Sequence, residues 1–300
     1  MKILITGAGG LIGHHLATAL DSGHQVLALT HADLDITDRD QVKRFVKAER
    51  PSLIVNCAVL GVDECEHDVT SAEAINIRGP HNLAECCAEI NAEFLHFSSN
   101  YVFDGERTDG REYTVEDIAR PINVYGQTKL DGERIVSAVS PRSYIIRTSW
   151  VFGSGKAAFL SRAYVNLTRG QRIRAITNTW ACATYIDDLV NRTKDILALR
   201  HYGIYHVVNE GACSYYDFAE ECARLAGLSS EQKEQSIERI TESEMRRLAP
   251  RPRWTPISCL LSATLGMEPM RDWRSALADY VNHEATSRKQ LLKHNLPIPK

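Results

Sequence analysis

A chain of 300 residues, 44% hydrophobic and 24% charged, has an ordinary globular composition and enough apolar material for a sizeable core in one or two domains. Its formal net charge of -3 provides no basic face for neutralising phosphates, so no nucleic acid polymer is expected as a partner. No apolar run approaches the roughly 18 to 20 residues a membrane span needs; the eight cysteines contain no CxxC pair, and the chain opens as a strand, so a reduced, cytoplasmic protein without a membrane partner is expected.

In chain order, short apolar runs alternate with helical patterns. Ile3 to Thr6, Gln25 to Leu29 and Leu53 to Asn56 read as strands, with helices over Leu11 to Ser22 and Asp40 to Ala48 between them. Asp33 and Asp35 fall on what reads as a short extra strand after Ala32. A helix around Ala72 to Ile90, a strand Glu93 to Ser98, a helix around Tyr125 to Val136 and a strand Ser143 to Thr148 follow. Continuous apolar strands, each followed by a helix, imply a sheet covered on both faces: an α/β fold of the Rossmann type with a doubly wound parallel sheet. After Trp150 the alternation weakens, and from about Ser214 the pattern predicts a smaller, mostly helical C-terminal substrate lobe. The expected division is a dinucleotide-binding domain over residues 1–154, to which 178–209 return, and a substrate-binding lobe over 155–177 and 210–300. Glu231 to Arg247 reads as a solvated helix face, and the tail from Glu284, with Arg288-Lys289-Gln290 and Pro297-Ile298-Pro299-Lys300, as mobile or interface-bound.

The first chemical motif is Thr6-Gly7-Ala8-Gly9-Gly10-Leu11-Ile12-Gly13, directly after a strand and at the opening of a helix. The tight turn needs a residue free to take positive φ, a pyrophosphate needs backbone without a Cβ in its way, and a helix N-terminus offers unpaired N–H groups. Gly7, Gly10 and Gly13 meet those demands and point to a dinucleotide. At the end of the second strand, where an acid would read a ribose 2′-OH and an arginine a 2′-phosphate, stands Leu29-Thr30-His31. Asp35 either faces the adenine or caps the next turn with Thr37 and Asp38, so NADP(H) and NAD(H) both stay open.

The second motif is Tyr125-Gly126-Gln127-Thr128-Lys129, in which a phenol and an amine four apart share one helix face. A phenol near pKa 10 is a reluctant acid at neutral pH, and a neighbouring ammonium would bring it toward the working range, which makes Lys129 the candidate tuner. Ser98 and Ser99 end a strand at the carboxyl edge of the sheet, where open α/β sheets bind ligands. His14-His15 has no completing ligand set, so no metal is expected; Cys86-Cys87 reads as core or interface, and Trp254 with Arg251 or Arg253 as a nucleobase and diphosphate contact.

Taken with Asn56-Cys57-Ala58, Ser98 to Gly105, Pro121 to Lys129, Arg147 to Phe152, Thr184 to Leu189, Arg251-Pro252 and Asp272-Trp273, the chain resembles the dTDP-4-dehydrorhamnose reductase branch of the extended short-chain dehydrogenases/reductases over nearly its whole length. The resemblance implies that Tyr125 is the proton donor, that Lys129 sits on the nicotinamide ribose near it, and that Ser99 orients the carbonyl. It puts Gly7, Gly10, Leu11, Ile12, Gly13, Asp35, Ile36, Cys57 and Ala58 against NADP(H) or NAD(H), and Asn100, Tyr101, Trp150 and Arg251 against a nucleotide-sugar substrate. The implied reaction reduces the keto group of a nucleotide-linked 4-keto-6-deoxysugar; a homodimer is a family-level expectation. The sequence departs from that branch at Asn100, where an Asp is usual, at Leu60, along Ile176 to Thr184 and at Arg253-Trp254, which leaves the sugar open. Asn100-Tyr101 supplies no acid-base pair for a sugar-nucleotide dehydratase. A nucleotide-sugar epimerase, or a non-catalytic regulatory subunit of the methionine adenosyltransferase type that this branch includes, are the alternatives.

Overall fold

Short buried strands set the frame. In the computed structural model, which describes residues 1–155 and 158–293, the chain begins with β1 (Lys2–Thr6), α1 (Leu11–Asp21), β2 (Gln25–Leu29), α2 (Arg39–Glu49), β3 (Leu53–Asn56), α3 (Val62–His67) and α4 (Val69–Glu73). A π-helical turn (Ala74–Arg78) leads into α5 (Gly79–Ile90), β4 (Glu93–Ser99), a 3₁₀ turn (Asn100–Val102), α6 (Val124–Val139), β5 (Ser143–Thr148) and β6 (Val151–Phe152). Next come α7 (Phe159–Thr168), β7 (Ile173–Ile176), β8 (Trp180–Cys182), β9 (Thr184–Tyr185), α8 (Ile186–Leu199), β10 (Gly203–His206), β11 (Ala212–Ser214), α9 (Tyr215–Leu225), α10 (Ser230–Ser236), β12 (Ile237–Ile240), α11 (Leu260–Thr264) and α12 (Trp273–Lys293).

Six strands form one sheet in the order β10-β5-β4-β3-β1-β2, and every pairing in it is parallel. The chain runs outward from β1 to β2, then crosses back over β1 to β3. That reversal opens a crevice at the carboxyl ends of β1 and β3, the place where such sheets bind ligands. Successive residues send their side chains to opposite faces. Ile3, Ile5, Leu95 and Ile146 join Leu16 and Leu20 of α1 and Leu189 of α8 in one core. Leu4, Ile54, Phe94 and Ile145 join Val42, Val46, Leu83, Cys86, Cys87 and Val136 in the other. Burial of each such aliphatic side chain is worth roughly 1.5 to 3 kcal/mol, which is why the strands read as unbroken apolar runs.

Three expectations are corrected. The extra strand at Asp33 to Asp35 is a loop, because each acid closes a local turn: Asp33 accepts from the Thr30 N–H at 2.8 Å and Asp35 from the Thr37 N–H at 2.9 Å. The helix over Ala72 to Ile90 is interrupted by the π turn, which aims Asn76 inward. Within Glu231 to Arg247, α10 gives way to β12 rather than continuing as one helix; the C-terminal part is mostly helical as expected, with short strand pairs, β7 with β12 and β8 with β11, beside its helices. Glu284 to Lys293 continue α12; the expectation for Pro297 to Lys300 lies outside the described residues.

Helix α6 carries Tyr125 and Lys129 and is held by an ion pair beneath it. The Arg147 guanidinium on β5 donates to Glu133 from Nη2 at 2.7 Å and from Nε at 3.0 Å, with both side chains buried, and Ser98 adds its hydroxyl to the same carboxylate. Removing one member of such a pair strands a buried charge. Arg147→Met is therefore expected to lower the unfolding free energy by about 3 to 5 kcal/mol in chemical denaturation; a loss below about 1 kcal/mol would place the pair in solvent.

Candidate active site

At the end of β1, Gly7 takes φ +68°, and a Cβ on it would lie 2.5 Å from the Ala58 nitrogen and 2.6 Å from the Cys57 carbonyl carbon. Glycine is thus required both by the turn and by the close approach of the loop after β3. Gly10 is the N-cap of α1 and offers no side chain to the helix's first N–H groups, while Leu11 and Ile12 rest partly buried against the core. Gly13 packs against Gly7, whose carbonyl oxygen would be 2.4 Å from an added Cβ. A bare helix N-terminus behind a cradle that a Cβ would fill fits a dinucleotide pyrophosphate.

The remaining expected cofactor residues divide. Cys57 and Ala58 line the glycine turn through their backbones. Asp35 gives its carboxylate to the Thr37 N–H and hydroxyl, the turn-capping role, and Ile36 is buried against Gly79.

Across the crevice, β4 ends at Ser99, and the chain turns through Asn100 to Val102 so that Tyr101 presents its ring edge-on to Tyr125, 5.9 Å between centroids. Tyr125 reaches this place because α6 is capped by Asn123, whose side chain accepts from the Gly126 N–H at 2.7 Å and donates to the Pro250 carbonyl at 2.9 Å. Gly126 permits the approach: a Cβ there would lie 2.1 Å from the Tyr101 carbonyl oxygen. Burial pushes the Tyr125 phenol up to about 12, against a hydrogen bond with Ser99 that acts to lower it. The Lys129 amine is buried beneath α6, where it donates to the Phe97 carbonyl and stands 3.3 Å from His96 Nε2.

The expected substrate residues close the other side. Asn100 donates to Thr255 Oγ1 at 2.8 Å, binding the 3₁₀ turn to the C-terminal part of the chain. Trp150, just past β5, has φ +38°, a costly conformation for a bulky residue, and is packed 4.0 Å from the Tyr215 ring. Arg251 is nearly buried and bidentate to Asp63, at 2.7 and 3.0 Å, and its guanidinium holds the Asp63 carboxyl below the usual range. Trp254 donates its indole N–H to the Arg111 carbonyl.

The sequence reading missed three residues here. Asn76 accepts from the Leu60 N–H and donates to Thr128, tying the loop after β3 to α6. Its signal was an amide flanked by Ile75 and Ile77. Asp63 and His96 have no local pattern that marks them.

Comparison with known proteins places this geometry. A family model described as the RmlD substrate binding domain matches residues 1–286. A dTDP-4-dehydrorhamnose reductase of Mycolicibacterium smegmatis is 38% identical over 284 residues, covering 93% of this chain and 85% of that protein. The crystal structure of a dTDP-4-dehydrorhamnose reductase from Clostridium acetobutylicum superposes with a TM-score of 0.87 at 32% identity, covering 95% of this chain and all of that one. A dTDP-4-dehydrorhamnose reductase from Bacillus anthracis in complex with NADP also has a TM-score of 0.87, at 27% identity over 94% of this chain and 99% of that one.

The Gly7 cradle yields a direct test. Gly7→Ala forces a Cβ into the backbone of Ala58 at a positive φ, and is expected to weaken dinucleotide binding by at least about tenfold, or ~1.4 kcal/mol. Titration of NADPH fluorescence against the folded variant measures it, and undiminished affinity would remove the cofactor from this turn.

Proposed function

Because this chain belongs to the RmlD substrate-binding domain family, we infer that it reduces the keto group of a nucleotide-linked 4-keto-6-deoxysugar with NADPH or NADH, as its dTDP-4-dehydrorhamnose reductase relatives are named for doing. The observation that carries the reading is the gathering of Tyr125, Tyr101 and Ser99 at the carboxyl end of β4, the Tyr101 ring edge-on to Tyr125 at 5.9 Å and Ser99 near enough to act on the phenol, on the same edge of the sheet as the glycine turn.

When bound, the reduced nicotinamide supplies hydride. The chain's own residues supply orientation and the proton. Tyr125, held up at about 12, carries its proton throughout the neutral range and is loaded to protonate the keto oxygen as negative charge develops there. Ser99 lies against the phenol and orients the same oxygen. Tyr101, Trp150 and Asn100 shape the sugar side, and Arg251 is a cation close enough to act on Tyr101. We assign residues 1–154 and 178–209 to the dinucleotide side and 155–177 and 210–300 to the substrate side; Asn100 to Thr255, Asn123 to Pro250 and Asp63 to Arg251 are the contacts that would hold substrate between them. Among the described residues no helix is long and apolar enough to cross a membrane. A cytoplasmic role in carbohydrate biosynthesis, as a homodimer, completes the reading.

Purified protein given dTDP-4-keto-6-deoxyhexose is expected to consume NADPH or NADH, each followed separately by loss of dihydronicotinamide absorbance. Tyr125→Phe should lower kcat by about 10² to 10⁴. Binding of both cofactors with consumption of neither would turn attention to another nucleotide sugar, or to the regulatory-subunit reading, for which a pull-down of partner enzymes is the next step.

A further inference from the structure

Beneath Lys129 lies a chain of buried polar side chains that the reaction above does not use. Asn56, at the end of β3, accepts through Oδ1 from the Thr6 hydroxyl at 2.7 Å and from the Ala58 N–H at 3.2 Å. A backbone N–H can only donate, so the atom facing Ala58 is the amide oxygen and the orientation of the amide follows. Its nitrogen Nδ2 then directs a hydrogen at His96 Nδ1, 3.1 Å away. That donor requires a lone pair on Nδ1, which puts the single proton of the neutral ring on Nε2. Nε2 stands 3.3 Å from Lys129 Nζ. An ammonium has no lone pair and cannot accept from Nε2–H; a neutral amine can, while still donating to the Phe97 carbonyl.

We propose that Asn56 and His96 are positioning residues that set the charge of Lys129: Asn56 locks His96 as its Nε2–H tautomer, and the ring then favours the neutral amine over the ammonium. Burial, with Lys129 beside it, holds the His96 pKa well below its ordinary value, so the ring does not take a second proton. Burial is also the largest influence on Lys129 and brings it down to about 8, opposed by Glu133 on α6 and by Cys57 and Cys65 from the loop after β3 and from α3. Tyr125 lies one turn back on α6, and His96 enters from β4. Glu133 is already taken up by Arg147 and Ser98, which leaves His96 as the polar partner in direct reach of the amine besides the Phe97 carbonyl.

The consequence for turnover rests on the reductase reading together with the tuning role expected of Lys129, whose ammonium would ease the loss of the Tyr125 proton. A lowered lysine pKa makes that ammonium available below about 8 and removes it above, so kcat should fall on an alkaline limb near that pH. His96→Gln replaces the donor with a side chain whose carbonyl can accept from the ammonium. Asn56→Asp keeps an acceptor for Thr6 and Ala58 but calls for a proton on His96 Nδ1, which turns Nε2 into an acceptor. Both variants should move the alkaline limb up by about one pH unit or more, toward the ordinary lysine value near 10.4.

The tautomer is read first, from ¹⁵N NMR of the His96 ring in the full chain, with His96→Gln to assign the signal. An Nε2–H ring and upward-shifted limbs support the proposal. An Nδ1–H ring overturns it, as does an unmoved limb in both variants when NADPH affinity and the thermal midpoint show them folded. The NMR result needs no substrate, so an Nε2–H ring in a protein without sugar turnover would defeat the reductase reading and leave this one standing.

Discussion

Helix α6 comes close enough to the end of β4 for chemistry only because residue 126 has no side chain. Its backbone there presses on the Tyr101 carbonyl, which sets Tyr125 beside Ser99 and places Lys129, one turn on, over the middle of the strand. The approach also fixes what surrounds the amine. Lys129 is sealed beneath the helix with the Phe97 carbonyl and the His96 ring as its partners, and an amine in that position cannot keep the hydration that stabilises its charge at the surface.

A catalytic helix seated on a parallel sheet has to bury polar groups, and burial penalises any that lack a partner. Two networks meet the demand. On one side, Glu133 joins Arg147 and Ser98, and Arg147 also meets His206, whose Nδ1 is 2.9 Å from the Ser258 carbonyl. On the other, Asn56 links the first turn of the crevice to His96 and so to Lys129. The first network anchors the helix and the second tunes it. Both depend on side chains from strands far apart in sequence but adjacent in the sheet.

The C-terminal stretch is attached to the crevice by a few polar contacts. Asn123, the cap of α6, also grips the Pro250 carbonyl; Asn100 grips Thr255; Asp63 grips Arg251. Each links a residue of the crevice to the stretch 250–255, so that this segment is registered directly on α6 and its neighbours. The strained Trp150 is held in the same region by Tyr215 from α9.

Much of this was legible in the sequence because it is local. The apolar runs of β1, β3, β4 and β5 each report burial on two faces; the spacing of Gly7, Gly10 and Gly13 reports a turn and a helix start; Tyr125 and Lys129 share a face by helical geometry alone. The loop at Asp33 to Asp35 was misread because a carboxylate that closes its own turn on Thr30 or Thr37 looks, in sequence, like a polar residue on a short strand. What only the tertiary structure decided is where long-range partners fall. Lys129 meets His96 and Phe97, Arg251 is matched to Asp63, and Asn76 is turned inward by a π turn. Hydrogen bonds between residues dozens or hundreds of positions apart follow from strand order and helix packing, and no periodicity in the chain records them.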